Sequence, residues 1–238
     1  MSRRFRALFA ALVAAQVAYG RARRSPPAAT RGLVALMLAS SVVEAADARG
    51  RREVASVALA GGIGFAFELV GVATERPFGH YTYRGKLGPR VGGVPLLAAA
   101  AWAMMARPAW VVAGRLSRSR AARVPLAAGA LTAWDVFLDP RMARDGYWTW
   151  PGGGRYEGIP ASNFLGWFTT GLAVFSVWAA LDRPDDASDR GDTGALVLYV
   201  WTWVGETFAN AVLWRRPVTA VAGGVAMGAY AVPALLRS

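Results

Sequence analysis

The 238-residue chain contains no cysteine, which removes disulfides, thiolate catalysis, iron–sulfur clusters and Cys-ligated zinc from its chemistry. His80 is the single histidine, so the usual His-rich metal and haem sites are excluded as well. A carboxylate-only magnesium site passes this test. Acids are scarce, 15 Asp plus Glu against 27 Lys plus Arg, giving a formal charge of +12. That excess does not describe a nucleic-acid surface, because the arginines lie between apolar runs instead of along one face. Basic loops at anionic lipid headgroups account for them with no nucleic-acid partner. With eight helices the two sets of alternate loops carry nearly equal Lys plus Arg, so membrane orientation stays open.

What the chain does have is apolar length. Hydrophobic residues make up 55% and the mean hydropathy is +0.29, too apolar for an ordinary soluble domain. Apolar runs recur at about 5–19, 31–46, 54–73, 92–113, 122–139, 163–181, 194–213 and 217–236. Each is near the roughly 20 residues that cross a bilayer, the first two being short. The expected fold is all-α, a polytopic integral membrane protein with a bundle of seven or eight transmembrane helices in one domain, residues 1–238. Such helices satisfy their own backbone where lipid cannot. The first run lacks a small-x-small cleavage site and is followed by Arg21, Arg23 and Arg24, so it reads as a retained helix and not a signal peptide.

Two stretches look like copies of one device. Glu68 lies in an apolar run and is followed by Gly79 and Tyr81-Thr82-Tyr83; Asp135 lies in another and is followed by Gly146 and Trp148-Thr149-Trp150. Both segments close on a Gly-aliphatic-Pro step, Gly93-Val94-Pro95 and Gly158-Ile159-Pro160. A carboxylate among apolar residues is costly, so two ahead of matching aromatic loops point to a paired site. Loops 74–91 and 140–162 are rich in Gly, Pro, Arg and aromatics, a mixture suited to ordered structure. If runs 92–113 and 122–139 each cross once, these loops share a membrane face. The Asp-rich segment 182–192 then lies on the other face as a solvated, mobile loop.

Pro77 and Pro140 bias the residues before them away from helix, so the third and fifth helices are expected to end near Arg76 and Asp139. At about 1.5 Å per residue, Asp135 then lies roughly 6 Å below its helix end and Glu68 roughly 10 Å below its own. Asp135 and Asp139 share a helical face at spacing four, as do Glu206 and Asn210. Ser162 or Asn163 is positioned to cap the sixth helix. Glu206 is expected at the depth of Glu68, so that several acids converge beneath the aromatic face. Glu44 and Asp47 read as ordinary interfacial carboxylates and Glu75 as a partner of Arg76. His80 reads as a hydrogen-bonding loop residue, and Gly61, Gly62 and Gly64 as helix-packing positions. Most of the ten Trp read as interface anchors, with Trp148 and Trp150 excepted because they sit over the acids.

Intramembrane carboxylates with no buried Lys or Arg beside them are candidate general acids, and two neighbours can share one proton. Proton addition to an apolar alkene would leave a carbocation, which facing aromatic rings stabilise by about 0.5–2 kcal/mol each. Water from the loop face would capture it. Since alkenes are poor bases, positioning and charge stabilisation must supply most of the rate.

The segments Phe67-Glu68-Leu69-Val70-Gly71, Pro77-Phe78-Gly79-His80-Tyr81-Thr82-Tyr83, Leu87-Gly88-Pro89, Gly93-Val94-Pro95, Asp135-Val136-Phe137-Leu138-Asp139-Pro140, Gly146-Tyr147-Trp148-Thr149-Trp150, Tyr156-Glu157-Gly158-Ile159-Pro160 and Asn163-Phe164-Leu165-Gly166-Trp167-Phe168 carry a resemblance. Together they resemble the carotenoid biosynthesis membrane proteins of the CruF type over about residues 60–215. That resemblance implies a carotenoid 1,2-hydratase, a cofactor-independent enzyme adding water to the terminal double bond of an acyclic, lycopene-like end group. It also implies a prokaryotic cell membrane, membrane lipids as surroundings and other carotenoid-pathway enzymes as candidate partners. It does not say which acid protonates the alkene. Glu75-Arg76 stands where the family has a small residue. Depth and repeat position nominate Glu68 and Asp135, one as proton donor and the other, helped by Asp139, tuning it or activating water. Tyr81, Tyr83, Trp148 and Trp150 would line the cation pocket, Asn163 would orient water or a carboxylate, and Glu206 would join them.

Two other classes compete. A membrane prenyl-diphosphate enzyme would use Asp135-Val136-Phe137-Leu138-Asp139 with Asp185-Asp186-Ala187-Ser188-Asp189 through magnesium. The two motifs are expected on opposite faces, about a bilayer apart, which argues against one shared diphosphate. A non-catalytic carotenoid- or lipid-binding protein, or a transporter with proton-relay acids, is the third class.

Overall fold

The computed structural model describes residues 1–22, 26–181 and 192–237. The DDxxD-like run at 185–189 lies outside them, as does all of the Asp-rich segment except Asp192. Among the described residues eight long helices follow in order: α1 (Arg3–Arg21), α2 (Pro27–Arg49), α3 (Arg51–Thr74), α4 (Leu96–Leu116), α5 (Arg120–Arg144), α6 (Ala161–Leu181), α7 (Thr193–Phe208) and α8 (Pro217–Leu236). A π-helical turn, Ala209–Leu213, extends α7. Seven of the eight, all but α1, are long and apolar enough to cross a membrane. The chain is an integral membrane protein of the expected all-α class.

Why these runs pack as they do follows from where small residues fall. α4 is the central helix, packed against α2, α3, α5, α7 and α8. In its apolar window 72% of residues are buried inside the bundle, against 50% or less in the others, which also face outward. Gly64 of α3 admits the Trp102 ring, since a Cβ there would stand 2.1 Å from the indole Cγ. Gly61 lies close against the Ala99 carbonyl, whereas Gly62 has open space and is not a packing position.

The two aromatic segments pair with each other across the bundle's loop face. β1 (Thr82–Tyr83) runs antiparallel to β4 (Trp148–Thr149), Thr82 opposite Thr149 and Tyr83 opposite Trp148. A second short ladder joins β2 (Arg90–Val91) to β3 (Val94–Pro95) just ahead of α4. Both loops therefore lie on one face, as the helix count predicts.

One helix end differs from expectation. α3 stops at Thr74, near Arg76 as expected, with Glu75 in a left-handed cap at φ 63°. α5 does not stop before Pro140 but runs on to Arg144. A proline inside a helix strips the carbonyl four residues earlier of its donor. Here that carbonyl, on Val136, accepts instead from the Tyr156 hydroxyl at 2.9 Å. Asp135 accordingly lies nine residues, about 13 Å, from its helix end.

The opposite end of the bundle holds an ion cluster. Arg107, fully buried in α4, pairs with Glu44 of α2 at 2.5 and 3.2 Å, Glu53 of α3 at 2.5 Å and Asp192 before α7 at 3.0 Å. Arg49 adds a second contact to Asp192 at 3.2 Å. Glu44 is thus no interfacial carboxylate: it is buried, in a cluster that ties four helices together. Asp47 of α2 is reached by the Ser2 hydroxyl. Glu75 pairs with His80 in the loop and not with Arg76.

Candidate active site

Three helices bring polar side chains to the underside of the aromatic ladder. Glu68 of α3, Asp135 and Asp139 of α5, and Asn163 in the first turn of α6 are all buried. Glu68 is held by three donors. The Tyr81 hydroxyl donates to Oε2 at 2.5 Å, the Tyr83 hydroxyl to the same oxygen at 2.8 Å, and the Trp102 indole N–H to Oε1 at 3.2 Å. Burial, then the neighbouring Glu68 charge, raises both phenols well above their ordinary value, so they stay protonated donors.

On the other side, the Asn163 side chain does not cap α6. Its amide nitrogen donates to Asp135 Oδ2 at 2.9 Å and to Asp139 Oδ2. The Trp148 indole donates to Asp139 Oδ1 at 3.0 Å. Asp135 Oδ1 is buried with no hydrogen-bond partner among the described residues. The two copies of the repeat thus depart from symmetry: Glu68 binds its own Tyr81 and Tyr83, while Trp148 reaches Asp139 and not Asp135.

These groups face a cavity of about 60 Å³. Its lining includes the polar side chains of Glu68, Asp139, Asn163, Tyr81 and Tyr83, the apolar side chains of Val34 of α2, Ala101 and Met104 of α4 and Leu138 of α5, and the rings of Trp102, Trp148, Trp150 and Trp167. The rings form a continuous set. Tyr83 meets Trp148 edge-on at 5.7 Å, Tyr81 meets Tyr83 at 5.5 Å and Trp150 at 6.1 Å, and Trp102 stacks on Trp167 at 4.0 Å. Phe78 fills the roof between α3 and α6, where Gly166 leaves room for its ring: a Cβ there would stand 2.4 Å away.

Of the residues nominated from sequence, Glu68, Asp139, Tyr81, Tyr83, Trp148, Trp150 and Asn163 line one cavity. Asp135 stands behind Asp139, off the cavity surface. Glu206 stands apart. It accepts from the Asn210 side chain of its own helix at 3.3 Å and is not among the lining residues. Depth alone places it level with Glu68, but its side of α7 turns elsewhere. Trp102 and Trp167 are additions that the sequence hides among apolar residues. A tryptophan at the height of Glu68 on the adjacent helix is the signal that finds Trp102.

Comparison with known proteins fits this architecture. The sequence profile of the carotenoid biosynthesis protein family matches residues 10–230, and the chain belongs to that family. A curated relative is bisanhydrobacterioruberin hydratase of Haloarcula japonica, 30% identical over 125 residues. The matched stretch is 50% of this chain and 42% of that protein, so the chain spans less than half the length of the relative. No solved structure matches.

Proposed function

We propose that this protein is a carotenoid hydratase that adds water across the terminal 1,2 double bond of an acyclic, lycopene-like end group without a cofactor. One observation carries the reading: a cavity lined by Glu68 and Asp139, with Asp135 just behind, whose other walls are mostly aromatic and aliphatic. The family membership and the hydratase relative support the same chemistry. A cavity of about 60 Å³ has room for the tip of a chain with a water, a water needing about 10–15 Å³ of such space. It does not admit a whole polyene. The rest of the substrate would run past Val34, Ala101 and Leu138 toward lipid, in what we take to be a prokaryotic cell membrane.

In this reading a carboxyl protonates the alkene, the tertiary cation forms between the rings, and water attacks it. Each facing ring stabilises the cation by about 0.5–2 kcal/mol. The hydrogen-bond partners of the acids are neutral side chains, so no cation bonded to them competes for their charge. Expression in a lycopene-producing host, with pigments analysed by mass, tests the claim. Hydrated carotenoid is the expected product. Absence of any gain of one or two waters on every acyclic carotenoid supplied would overturn it.

A further inference from the structure

The three carboxyls are unequally supplied with hydrogen-bond donors. Among the described residues Glu68 accepts from three, Asp139 from two, and Asp135 from Asn163 alone, with its second oxygen buried and bare. Because one amide nitrogen reaches both Asp135 and Asp139, those carboxyls lie within two hydrogen-bond lengths of each other. Like charges so close, both buried in the bundle, are not both ionised, so the pair holds one proton. Three donors converging on Glu68 suit its anionic form, since charge-assisted hydrogen bonds are the stronger ones. Only one member of the pair, Asp139, reaches the cavity surface.

We propose, resting on the hydratase reading above, that Asp139 is the acid that protonates the alkene, Asp135 is a positioning residue that keeps the proton on the pair, and Glu68 is the base that receives the proton of the attacking water. The steps balance. The π electrons of the terminal double bond take the proton from Asp139 at C2, leaving a tertiary cation at C1, and the positive charge beside Asp139 is what allows the pair to be without its proton until one returns. The oxygen of one water bonds to C1 and loses a proton to Glu68. That proton returns to the pair through water, so alkene and water become alcohol and the enzyme is restored.

The roles separate in heavy water, with membranes carrying each variant at matched protein level. The wild-type protein places one deuterium at C2 of every hydrated product. Glu68→Gln can still protonate but not capture water, so the cation returns a proton; the expected result is deuterium gained by unhydrated carotenoid, with hydration reduced at least 100-fold. Asp139→Asn is expected to give neither hydration nor exchange, with partial rescue by Asp139→Glu. Asp135→Asn is expected to lower kcat about 10- to 100-fold with KM unchanged and deuterium still at C2. Hydration by Asp139→Asn at more than a tenth of the wild-type rate would overturn the assignment while leaving the hydratase reading intact. So would exchange in Asp139→Asn that is absent from Glu68→Gln. A wild-type protein that hydrates nothing defeats the parent reading instead.

Discussion

Replacing Arg107 with methionine removes four contacts at once: two to Glu44 at 2.5 and 3.2 Å, one to Glu53 at 2.5 Å and one to Asp192 at 3.0 Å. Methionine fills much of the space but leaves three carboxylates at a buried helix junction, with Arg49 still paired to Asp192. Breaking a buried pair by deleting one partner costs about 3–5 kcal/mol, because the other charge is left without compensation. For a chain of this size that corresponds to roughly 6–20 °C in Tm. The assay is thermal unfolding of detergent-purified protein at a fixed scan rate, followed by tryptophan fluorescence. A second variant checks the cause. Arg107→Met combined with Glu44→Leu removes both members of the closest pair and should recover part of the loss, with a coupling energy above about 1 kcal/mol. If Arg107→Met unfolds within about 2 °C of wild type, or the two substitutions are additive, the cluster does not hold the helices together and the reasoning fails.

Gly64→Ala puts a methyl 2.1 Å from the Trp102 ring, which Trp167 backs at 4.0 Å; the expected cost is about 1–3 kcal/mol of overpacking. The indole is displaced from Glu68, so hydration should fall more than Tm does, and full activity would show that Trp102 is not part of the site. Ala101→Phe narrows the cavity where α4 lines it and is expected to raise KM for a full-length acyclic carotenoid several-fold with Tm nearly unchanged. An unaltered KM would mean the polyene runs elsewhere. Glu206→Gln should keep hydration within about twofold in the same pigment assay, and a loss comparable to Asp139→Asn would return Glu206 to the site.

The membrane helices and the shared face of the two aromatic loops are legible because they depend on run length and on counting crossings. Neither needs a tertiary contact. The end of α5 is not legible. A proline rule stops the helix before Pro140, yet the helix continues because Tyr156, in the loop that follows, supplies a donor to the Val136 carbonyl. Nothing in the local sequence assigns that contact. Arg107 is hidden for a similar reason: a single arginine barely changes the hydropathy of run 92–113. Its presence there is nevertheless a signal, because a lone cation in an apolar helix requires partners, and Glu44 and Glu53 are the acids at the adjoining helix ends. Asp139 and Asn163 can be nominated by spacing, but not the bond between them. Glu206 marks the limit of depth as a guide, since height along a helix says nothing about the direction in which a side chain points.

The two polar clusters meet the same helix and differ in one respect that bears on function. Trp102 and Arg107 are five residues apart on α4, about 7.5 Å along its axis. Around Arg107 each of the three carboxylates is paired directly with a guanidinium group, Glu44 and Glu53 with Arg107 and Asp192 with Arg107 and Arg49. Around Trp102 the acids are met by phenol, indole and amide groups, all neutral. Hydrogen bonds of that kind hold a carboxylate in place without cancelling its charge. On the hydratase reading proposed above, a cation formed between the rings would be attracted to Glu68 and the Asp pair through a medium that screens poorly. The acids of the Arg107 cluster already have guanidinium partners. If the hydratase reading holds, the neutral partners, more than the number of carboxyls, are what would suit one cluster to carbocation chemistry and the other to holding helices together.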